Sequence, residues 1–387
     1  MKTFPLGSLS VDEFLSEYWQ KKPLLIRQAF PDLVSFIPAD ELAGLACEEG
    51  VESRLIIQDE TTNHWELKHG PLNEKLFSEL PESHWTLLVQ AIDHWLPAAA
   101  EFLRQFNFIP DWRVDDLMIS FASDSGGVGP HYDNYDVFLV QVEGQRRWEV
   151  GEKYDQHSSR RDDMPVLILD QWQSEQSWVL NPGDILYLPP QIGHNGIAVG
   201  DGCMTYSVGF RAPSHSEILS GFSDAIADQS GDENRYTDPD LSLQKNPGEI
   251  TPEALQNVME IMKKYYQDPE LVSHWFGKFV TEPKYANEEP VSGVQCTIED
   301  LLQHQSEGGV ILRNEGSRFA FINQNKRITL FVDGEAFECD REIEFLAELL
   351  STVASIDLAE LKENKKCLKL INQLVQQGSL YPAFPDL

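Results

Sequence analysis

Three residues of this sequence have the types and the spacing needed to bind one metal ion. His131 and Asp133 are separated by a single residue, and His194 follows much later, in a Gly-His pair. In a strand, residues i and i+2 point to the same face, so His131 and Asp133 can chelate one ion while Tyr132 points away. Two imidazoles and a carboxylate on one face leave open coordination positions, which is the usual ligand set of a non-haem Fe(II) oxygenase.

A rigid turn precedes the third of these residues. The segment Asn181-Pro182-Gly183-Asp184 predicts a tight turn, and a short apolar strand and two prolines separate it from His194. This arrangement can aim His194 at the His-x-Asp pair. The other eight of the ten histidines lack such spacing, and surface or packing roles suit them better.

A cationic residue near the metal strand extends the prediction to a cosubstrate. Open coordination positions let a bidentate 2-oxoacid and O₂ share the iron, and the far carboxylate of that acid then needs a cation. Arg146 can grip it bidentately, whereas the adjacent Arg147 would face the other way. The alternative is that both arginines are surface charges. Ser120, Thr205 and Ser207 can add hydroxyl donors, although such residues are common on strands for no special reason.

The composition limits the class of protein and its partners. The net charge of −33 opposes direct binding to DNA or RNA phosphate and favours a basic protein partner, although an acidic surface also simply keeps a protein in solution. No apolar run is long enough for a membrane span, and the first residues lack a signal-peptide pattern. The five cysteines contain no Cys-x-x-Cys, which indicates a reducing cytoplasm.

The periodicity predicts an order of elements along the first part of the chain. A helix, a strand and a second helix are predicted over residues 1–45, and residues 82–108 have helical apolar spacing. From about residue 113 to 211 the period changes to two. About eight short strands there, with turn signals such as Glu143-Gly144 and Asp201-Gly202 between them, predict a jelly roll or barrel: Leu117–Ala122, Val137–Val142, Arg147–Val150, Val166–Leu169, Trp178–Leu180, Asp184–Leu188, Gly196–Val199 and Met204–Phe210.

The remainder of the chain is predicted to form a helical segment and a mixed module. Ser216–Ala227 and Pro252–Tyr266 are predicted helices, and the second has an apolar stripe that either pairs with a second chain or packs on its own domain. Residues 290–387 combine hairpins with short helices, among them Glu342–Leu350 and Lys365–Gln377, in a pattern that resembles a winged helix. Its acidic stretch from Glu335 to Glu344 argues against nucleic-acid binding by this module.

Several segments together resemble a known family. They are Phe14–Arg27, Asp115–Phe121, Gly126–Asp133, Gly144–Trp148, Pro182–Asp184 and Tyr206–Arg211. These residues resemble the JmjC-type 2-oxoglutarate oxygenases of the cupin group. More narrowly, they resemble the bacterial ribosomal oxygenases, which hydroxylate an arginine of a large-subunit ribosomal protein. Many relatives have Lys at the position of Arg146, and Arg there fits the bacterial branch.

The resemblance implies a fold, a domain order and cofactors. The implied fold is multidomain α+β: a double-stranded β-helix domain over 1–213 (barrel core about 113–211), a helical dimerisation domain over 214–288 and a winged-helix-like domain over 289–387. It implies that His131, Asp133 and His194 hold Fe(II), that Arg146 binds 2-oxoglutarate, and that O₂ is the other cosubstrate. It also implies a homodimer.

The implied reaction is hydroxylation of the β-carbon of an arginine in a basic ribosomal protein. Asp124 or Asp136 can hold the guanidinium near the iron, and Tyr132 or Tyr135 can stack on it, although each carboxylate can equally be a solvated loop residue. Two alternatives stay open at this point. One is an N-methyl demethylase with the same core, and the other is a non-catalytic metal-binding cupin that acts as a scaffold in ribosome assembly.

Overall fold

The computed structural model describes residues 5–59, 61–62, 64–162, 164–285, 295–324 and 327–384. The chain divides into two compact units, Met1–Ala212 and Pro213–Leu387, and each is described by itself. The division lies next to the predicted end of the first domain. The predicted boundary between the helical and the winged-helix-like domains falls outside the described residues and stays a prediction.

The first unit begins with short helices and a hairpin and ends with long strands. Its helices are α1 (Val11–Glu17), α2 (Ala39–Leu45), α3 (Glu74–Ser78) and α4 (Pro97–Leu103). Its strands are β1 (Leu24–Ile26), β2 (Ser53–Asp59), β3 (His64–His69), β4 (Trp85–Val89), β5 (Val114–Ala122), β6 (Asp136–Lys153), β7 (Ser174–Leu180), β8 (Ile185–Leu188) and β9 (Ile192–Phe210). Short 3₁₀ turns lie at Ile92–His94, Arg104–Phe106 and Asp111–Arg113.

The helical prediction for residues 82–108 is wrong at its start. Trp85–Val89 is strand β4, which pairs with β2 on one side and with β5 on the other. A strand inside a sheet and covered on both faces is apolar at successive positions, so the spacing of its apolar residues alone does not separate it from a buried helix. The helix of this region is shorter and begins at Pro97, a residue favoured in the first turn.

A nine-stranded antiparallel sheet forms the frame of this unit. Its order is β1-β8-β6-β9-β5-β4-β2-β3, and β7 also pairs with β6. The predicted strands Val137–Val142 and Arg147–Val150 are one continuous strand, β6, and Gly196–Val199 and Met204–Phe210 are likewise one strand, β9. The predicted turn at Gly144 is an irregularity inside β6 with a φ of 61°, where a Cβ atom would lie 2.8 Å from the carbonyl oxygen of Gly202.

One predicted strand is absent from the described part of the barrel region. Val166–Leu169 forms no strand, and its only ladder contact is an isolated bridge between Arg160 and Leu169. The segment is instead held to the metal-binding loop, because the N–H of Leu169 donates to the carbonyl of Pro130 at 2.8 Å. It therefore supports the site from outside the sheet.

The two faces of the long strands differ in character. Along β9, Met204, Tyr206 and Val208 belong to the large aromatic core that the N-terminal helices cover. Cys203, Thr205 and Ser207 are also buried, but they point to the opposite face. The polar residues predicted for the site are therefore collected on one face of the sheet, and the hydrophobic core fixes that face from behind.

The second unit contains helices and two small sheets. Its helices are α5 (His215–Gln229), α6 (Pro252–Tyr266), α7 (Pro269–Thr281), α8 (Ile298–Ser306), α9 (Glu344–Thr352) and α10 (Lys365–Gln377), and Leu358–Glu360 is a 3₁₀ turn. Its strands are β10 (Val310–Arg313), β11 (Phe319–Gln324), β12 (Arg327–Val332), β13 (Glu335–Cys339), β14 (Ser355–Ile356) and β15 (Leu380–Ala383). In the described part of the chain, every helix is too short or too polar to cross a membrane.

The sequence predictions for this unit agree with its last two helices and miss one of its strands. The predicted helices Glu342–Leu350 and Lys365–Gln377 agree with α9 and α10, and α10 ends at Gly378 in the left-handed conformation. Strand β13 was missed because its residues were interpreted only as an acidic cluster. It pairs with β12 and carries Glu335 and Glu338 on the exposed edge of a three-stranded sheet.

Candidate active site

The backbone brings His131 and His194 directly opposite each other. They form an isolated antiparallel bridge, in which the N–H of His131 donates to the carbonyl of His194 at 3.0 Å and the reverse bond is 2.8 Å. The N–H of Gln191 donates to the carbonyl of Asp133 at 2.6 Å. The loop that carries His131 and Asp133 is thus tied to the start of β9 on both sides of the predicted ligands.

The three predicted ligand side chains converge on one point. Nε2 of His194 lies 3.6 Å from Oδ2 of Asp133, and Nε2 of His131 lies 4.0 Å from the same oxygen. One ligand atom from each residue lies within 4.8 Å of the others. These separations are too long for hydrogen bonds but match two ligands of one ion, since each metal–ligand distance is about 2.0–2.2 Å.

Both imidazoles have the tautomer that a metal ligand requires. Nδ1 of His131 lies 2.8 Å from the carbonyl oxygen of Gly129, and Nδ1 of His194 lies 3.0 Å from that of Ile192. A carbonyl can only accept, so in each ring Nδ1 carries the proton and Nε2 keeps its lone pair. The lone pairs of both Nε2 atoms are therefore available on the side of Asp133.

The environment of His194 keeps its imidazole neutral. Its side chain is almost completely buried. Burial and the nearby His131 lower the pKa of His194 to about 4, and the carboxylate of Asp133 only partly opposes them. A neutral imidazole is the form that binds a metal, so His194 needs to lose no proton at neutral pH.

Arg146 is a buried cation with an unsatisfied donor. It is 3% exposed, its Nε donates to Sγ of Cys203 at 3.4 Å, and its Nη2 makes no hydrogen bond with the described residues. A buried guanidinium with an unpaired N–H is costly unless an anion completes it. A carboxylate of a bound ligand supplies what this position lacks, which fits the cosubstrate predicted for Arg146. Arg147 faces the other way and is about half exposed beside Glu149.

The three predicted hydroxyl residues are all buried on the face of Arg146. Ser120 and Thr205 are paired across β5 and β9, and the hydroxyl of Ser120 donates to the carbonyl of Thr205 at 3.4 Å. The hydroxyl of Thr205 donates to Oε1 of Gln141 at 3.1 Å. Ser207 is the next residue of β9 on the same face, two positions after Thr205. Gln141, which the sequence interpretation missed, is completely buried and joins this polar group.

Three of the four predicted substrate contacts, Asp136, Tyr132 and Asp124, are engaged elsewhere in the protein. Asp136 is completely buried, and its carboxylate accepts from the Tyr187 hydroxyl at 2.6 Å and from Gln20 at 2.9 Å and is paired with Arg113. Burial raises the pKa of this carboxyl. Asp136 is the first residue of β6 and points into the core, so it is not available to hold a substrate guanidinium.

Tyr132 is also engaged within the protein. Its ring is buried, stacks on Tyr154 at 6.3 Å, and has the Arg160 guanidinium 5.0 Å from its centroid. It therefore faces away from the ligand side of the loop, as the i, i+2 alternation requires. Asp124 is partly exposed, and its carboxylate accepts from the N–H of Gly200 at 2.6 Å, which makes it a turn-stabilising residue.

Tyr135 is the predicted substrate contact that stays open to a ligand. The residue is 43% exposed as a whole, while its hydroxyl is desolvated and lies near the charges of Asp133 and Asp116, so its pKa is raised well above the usual value. Asp116 was missed. It lies at the start of β5, on the same face as Ser120, and accepts from Nε2 of Gln90 and from the N–H of Ala91 at 2.8 and 2.9 Å. The alternation from Ser120 was the signal that points to it.

Comparison with known proteins relates this geometry to one group. Residues 101–218 match the model of the JmjC domain, and residues 264–381 match that of the ROXA-like winged helix. The chain is 35% identical to the ribosomal protein uL16 3-hydroxylase of Escherichia coli over 96% of this chain and 97% of that protein. It is 34% identical to a probable ribosomal oxygenase of Haemophilus influenzae over 83% and 80% of the two chains.

Solved structures agree with the sequence matches. An X-ray structure of YcfD from Escherichia coli has a TM-score of 0.88 and 34% identity, covering 97% of this chain and 99% of that chain. The chain belongs to the ribosomal oxygenase family. A structure of YcfD, a ribosomal oxygenase, in complex with cobalt and 2-oxoglutarate has a TM-score of 0.85 and 34% identity over 97% and 98% of the two chains.

Membership of the ribosomal oxygenase family confirms several predictions together. The fold class is the predicted one, with a jelly-roll-like JmjC unit and a winged helix in a mixed α+β chain. The enzyme class is also confirmed, since ribosomal oxygenases with a JmjC domain are 2-oxoglutarate oxygenases. The roles of individual residues remain predictions.

The turn before β8 anchors the strand that leads to His194, and its stability is predicted to depend on pH. Asp184 is buried and accepts from Arg27 at 2.6 Å and from the N–H groups of Gln28 and Asn181 at 2.9 and 3.0 Å. Burial alone would raise the pKa of Asp184, but these hydrogen bonds hold it below its usual value. We expect Asp184→Asn to lower the free energy of unfolding at pH 7 by about 1–3 kcal/mol.

The sign of this effect follows from the lowered pKa. A carboxyl with a depressed folded-state pKa stabilises the protein above its unfolded-state pKa, and this contribution disappears as the pH falls through the folded-state value. The difference between Asp184→Asn and wild type should therefore shrink below about pH 4. Denaturant titrations at several pH values measure this difference in the free energy of unfolding, and a substitution of an exposed residue, Asp32→Asn, is the control. An equal loss at every pH would contradict the ionic account.

Proposed function

We propose that this chain is an Fe(II)- and 2-oxoglutarate-dependent hydroxylase that adds a hydroxyl to the β-carbon of an arginine in a large-subunit ribosomal protein. One observation carries the proposal. Two imidazole Nε2 atoms and the Asp133 carboxylate converge on one point, on the same face as a buried guanidinium with an unpaired N–H. A metal site alone does not need that guanidinium, whereas a metal-bound 2-oxoacid does.

The residues present fit both the metal and the cosubstrate. His131, Asp133 and His194 would hold Fe(II) on one face, and Arg146 would bind the far carboxylate of 2-oxoglutarate, with Ser120 and Thr205 beside it. The iron supplies the activation of O₂, coupled to oxidation of 2-oxoglutarate to succinate and CO₂. The protein contributes orientation, because Nδ1 contacts fix both imidazole planes, and it buries His194 and Arg146, while the side chains of His131 and Asp133 stay partly exposed.

A basic protein substrate is supported by charge and by the side chains near the ligands. The net charge of −33 attracts a segment rich in Lys and Arg. Tyr135 is partly exposed and would offer an aromatic ring on which a guanidinium stacks, and the carboxylate of Asp116 lies close enough to affect the hydroxyl of Tyr135. Asp116 and Tyr135 therefore replace Asp136 and Tyr132 in the proposed substrate contacts. The relative named a ribosomal protein uL16 3-hydroxylase supports the substrate class and the carbon that is hydroxylated.

The experiment that tests the proposal is an incubation with Fe(II), 2-oxoglutarate and separated ribosomal proteins of the same cell, followed by mass spectrometry of each protein. The expected result is a gain of one oxygen atom on one large-subunit protein, localised to an arginine. Loss of a methyl group would favour the demethylase. Binding to ribosomes without any oxidised product or succinate would favour the non-catalytic scaffold. A ribosomal substrate also supports the predicted cytoplasmic location.

The proposed enzyme is a homodimer, and helix α6 supports this. Its apolar stripe is exposed in the single chain, with Val258 at 45%, Met259 at 60% and Met262 at 54%. An apolar stripe of this kind is stabilised when a second copy covers it. We expect Met259→Glu to yield a monomer in sedimentation at concentrations where wild type is a dimer. The control Gln256→Glu, on a polar position of α6, should stay dimeric, and a monomeric wild type would contradict the proposal.

A further inference from the structure

Trp148 lies between the two ends of the proposed cosubstrate site. In the pairing of β6 with β9, Arg146 is opposite Ala198, Trp148 is opposite Gly196, and Val150 is opposite His194. The Arg146 guanidinium lies 5.8 Å from the centroid of the Trp148 ring, and the His194 ring lies 5.8 Å from it on centroids. A ligand that extends from the metal ligands to Arg146 therefore passes along this indole.

The indole N–H is a buried donor without a partner. Trp148 is 5% exposed, and its Nε1 is one of three buried side-chain polar atoms of the described residues that make no hydrogen bond. Nη2 of Arg146 is another of the three. Buried donors are nearly always satisfied, so two unsatisfied donors from positions i and i+2 of one strand indicate one shared acceptor.

The backbone opposite Trp148 is adapted to hold the ring. A Cβ atom on Gly196 would lie 2.6 Å from two atoms of the six-membered ring and 2.9 Å from a third. The glycine thus lets the benzenoid edge lie on the backbone of β9, and this contact fixes the plane of the indole. Because the plane of the indole is fixed, the direction of its N–H is also fixed.

We propose that Nε1–H of Trp148 donates a hydrogen bond to the distal carboxylate of 2-oxoglutarate, together with Arg146. This inference rests on the proposed function. The oxo and carboxylate oxygens at the other end of the molecule are required by the metal, and the two methylenes between the ends have no acceptor. The distal carboxylate has two oxygens, which can accept from Nη2 of Arg146 and from the indole. Trp148 is then a second determinant of specificity for a 2-oxodiacid.

The test compares two ligands that differ only in the distal carboxylate. Binding of 2-oxoglutarate and of 2-oxopentanoate to the Mn(II)-loaded full chain is measured by calorimetry for wild type and Trp148→Phe. Phenylalanine keeps an aromatic ring but removes the donor. We expect Trp148→Phe to weaken 2-oxoglutarate at least about tenfold, as for a hydrogen bond to a charged group, and to leave 2-oxopentanoate nearly unchanged. The exposed Trp95→Phe is the matched control and should change neither affinity.

A spectroscopic readout separates a direct bond from a packing effect. The indole ¹⁵N–¹H resonance that disappears in Trp148→Phe should shift in wild type when 2-oxoglutarate is added and shift much less with 2-oxopentanoate. Equal weakening of both ligands, or an indole resonance that 2-oxoglutarate leaves in place, would overturn the inference. If wild type itself does not bind 2-oxoglutarate, it is the proposed function that fails.

Discussion

An Asp133→Ala variant is expected to lose its metal and its activity while it keeps its fold. Asp133 is the one anionic ligand candidate, and its Oδ2 is the atom on which both imidazole nitrogens converge at 3.6 and 4.0 Å. Without this carboxylate, only the two imidazoles remain as protein ligands of the ion. We expect metal affinity and 2-oxoglutarate turnover to fall by more than about 100-fold, because even the loss of a residue that only supports a ligand costs 10–100-fold.

The stability of the metal-free protein should change little in the same variant. The Asp133 side chain is partly exposed, and its backbone carbonyl, which the substitution leaves intact, accepts the hydrogen bond that ties the loop to Gln191. Calorimetry with Co(II) measures the metal affinity, succinate release measures the turnover, and thermal unfolding measures the stability of the metal-free protein. The control is the exposed Asp162→Ala, which should behave as wild type. Unchanged metal affinity in Asp133→Ala would refute the proposed ligand set.

Replacing Arg146 with methionine is expected to abolish 2-oxoglutarate binding at concentrations that saturate wild type. The guanidinium is buried, and its Nη2 makes no hydrogen bond in the described part of the chain, so a bound anion would complete its pairing. Two hydrogen bonds to a charged group contribute about 3 kcal/mol or more, which predicts at least about 100-fold weaker binding. Metal affinity should be unchanged, because Arg146 is not among the converging ligand atoms.

The adjacent arginine provides a matched control. Arg147 has the same charge and lies on the same strand, but it faces the other way and pairs with Glu149 at 3.6 Å. Arg147→Met should bind 2-oxoglutarate as wild type does. The affinity of Arg146→Lys for 2-oxoglutarate should lie between those of wild type and Arg146→Met, since a lysine keeps the charge but loses the planar guanidinium. Equal effects of Arg146→Met and Arg147→Met would indicate that net charge, and not a defined contact, determines binding.

The sequence predicted the candidate metal site better than the substrate site for a physical reason. His131 and Asp133 are two residues apart, so their common direction follows from strand geometry alone, and the Pro-Gly-Asp turn before the Gly-His pair indicated His194 as their partner. The direction of Asp136 depends on where β6 begins. If β6 began one residue later, Asp136 would belong to the preceding loop. Because Asp136 is the first residue of β6, its side chain instead enters the core beside Tyr187. Sequence spacing does not define that boundary to one residue.

The contacts that the sequence missed depend on strand pairing over long distances. Gln141 becomes a neighbour of Thr205 only when β6 and β9 pair, and Trp148 becomes a neighbour of His194 in the same way. The continuous length of both strands was also missed, because irregularities at Gly144 and Gly202 were interpreted as turns between separate strands. A β-bulge and a turn need the same glycine, and only the partner strand distinguishes them.

The most direct test of the account is hydroxylation of the identified ribosomal protein under isotopically heavy O₂. The protein, loaded with Fe(II), is incubated with 2-oxoglutarate and the substrate, and the modified peptide is sequenced by mass spectrometry. The account predicts that one arginine gains one heavy oxygen atom on its β-carbon, in step with succinate release, and that Asp133→Ala produces neither. Oxygen taken from water, or hydroxylation that proceeds without 2-oxoglutarate, would contradict it.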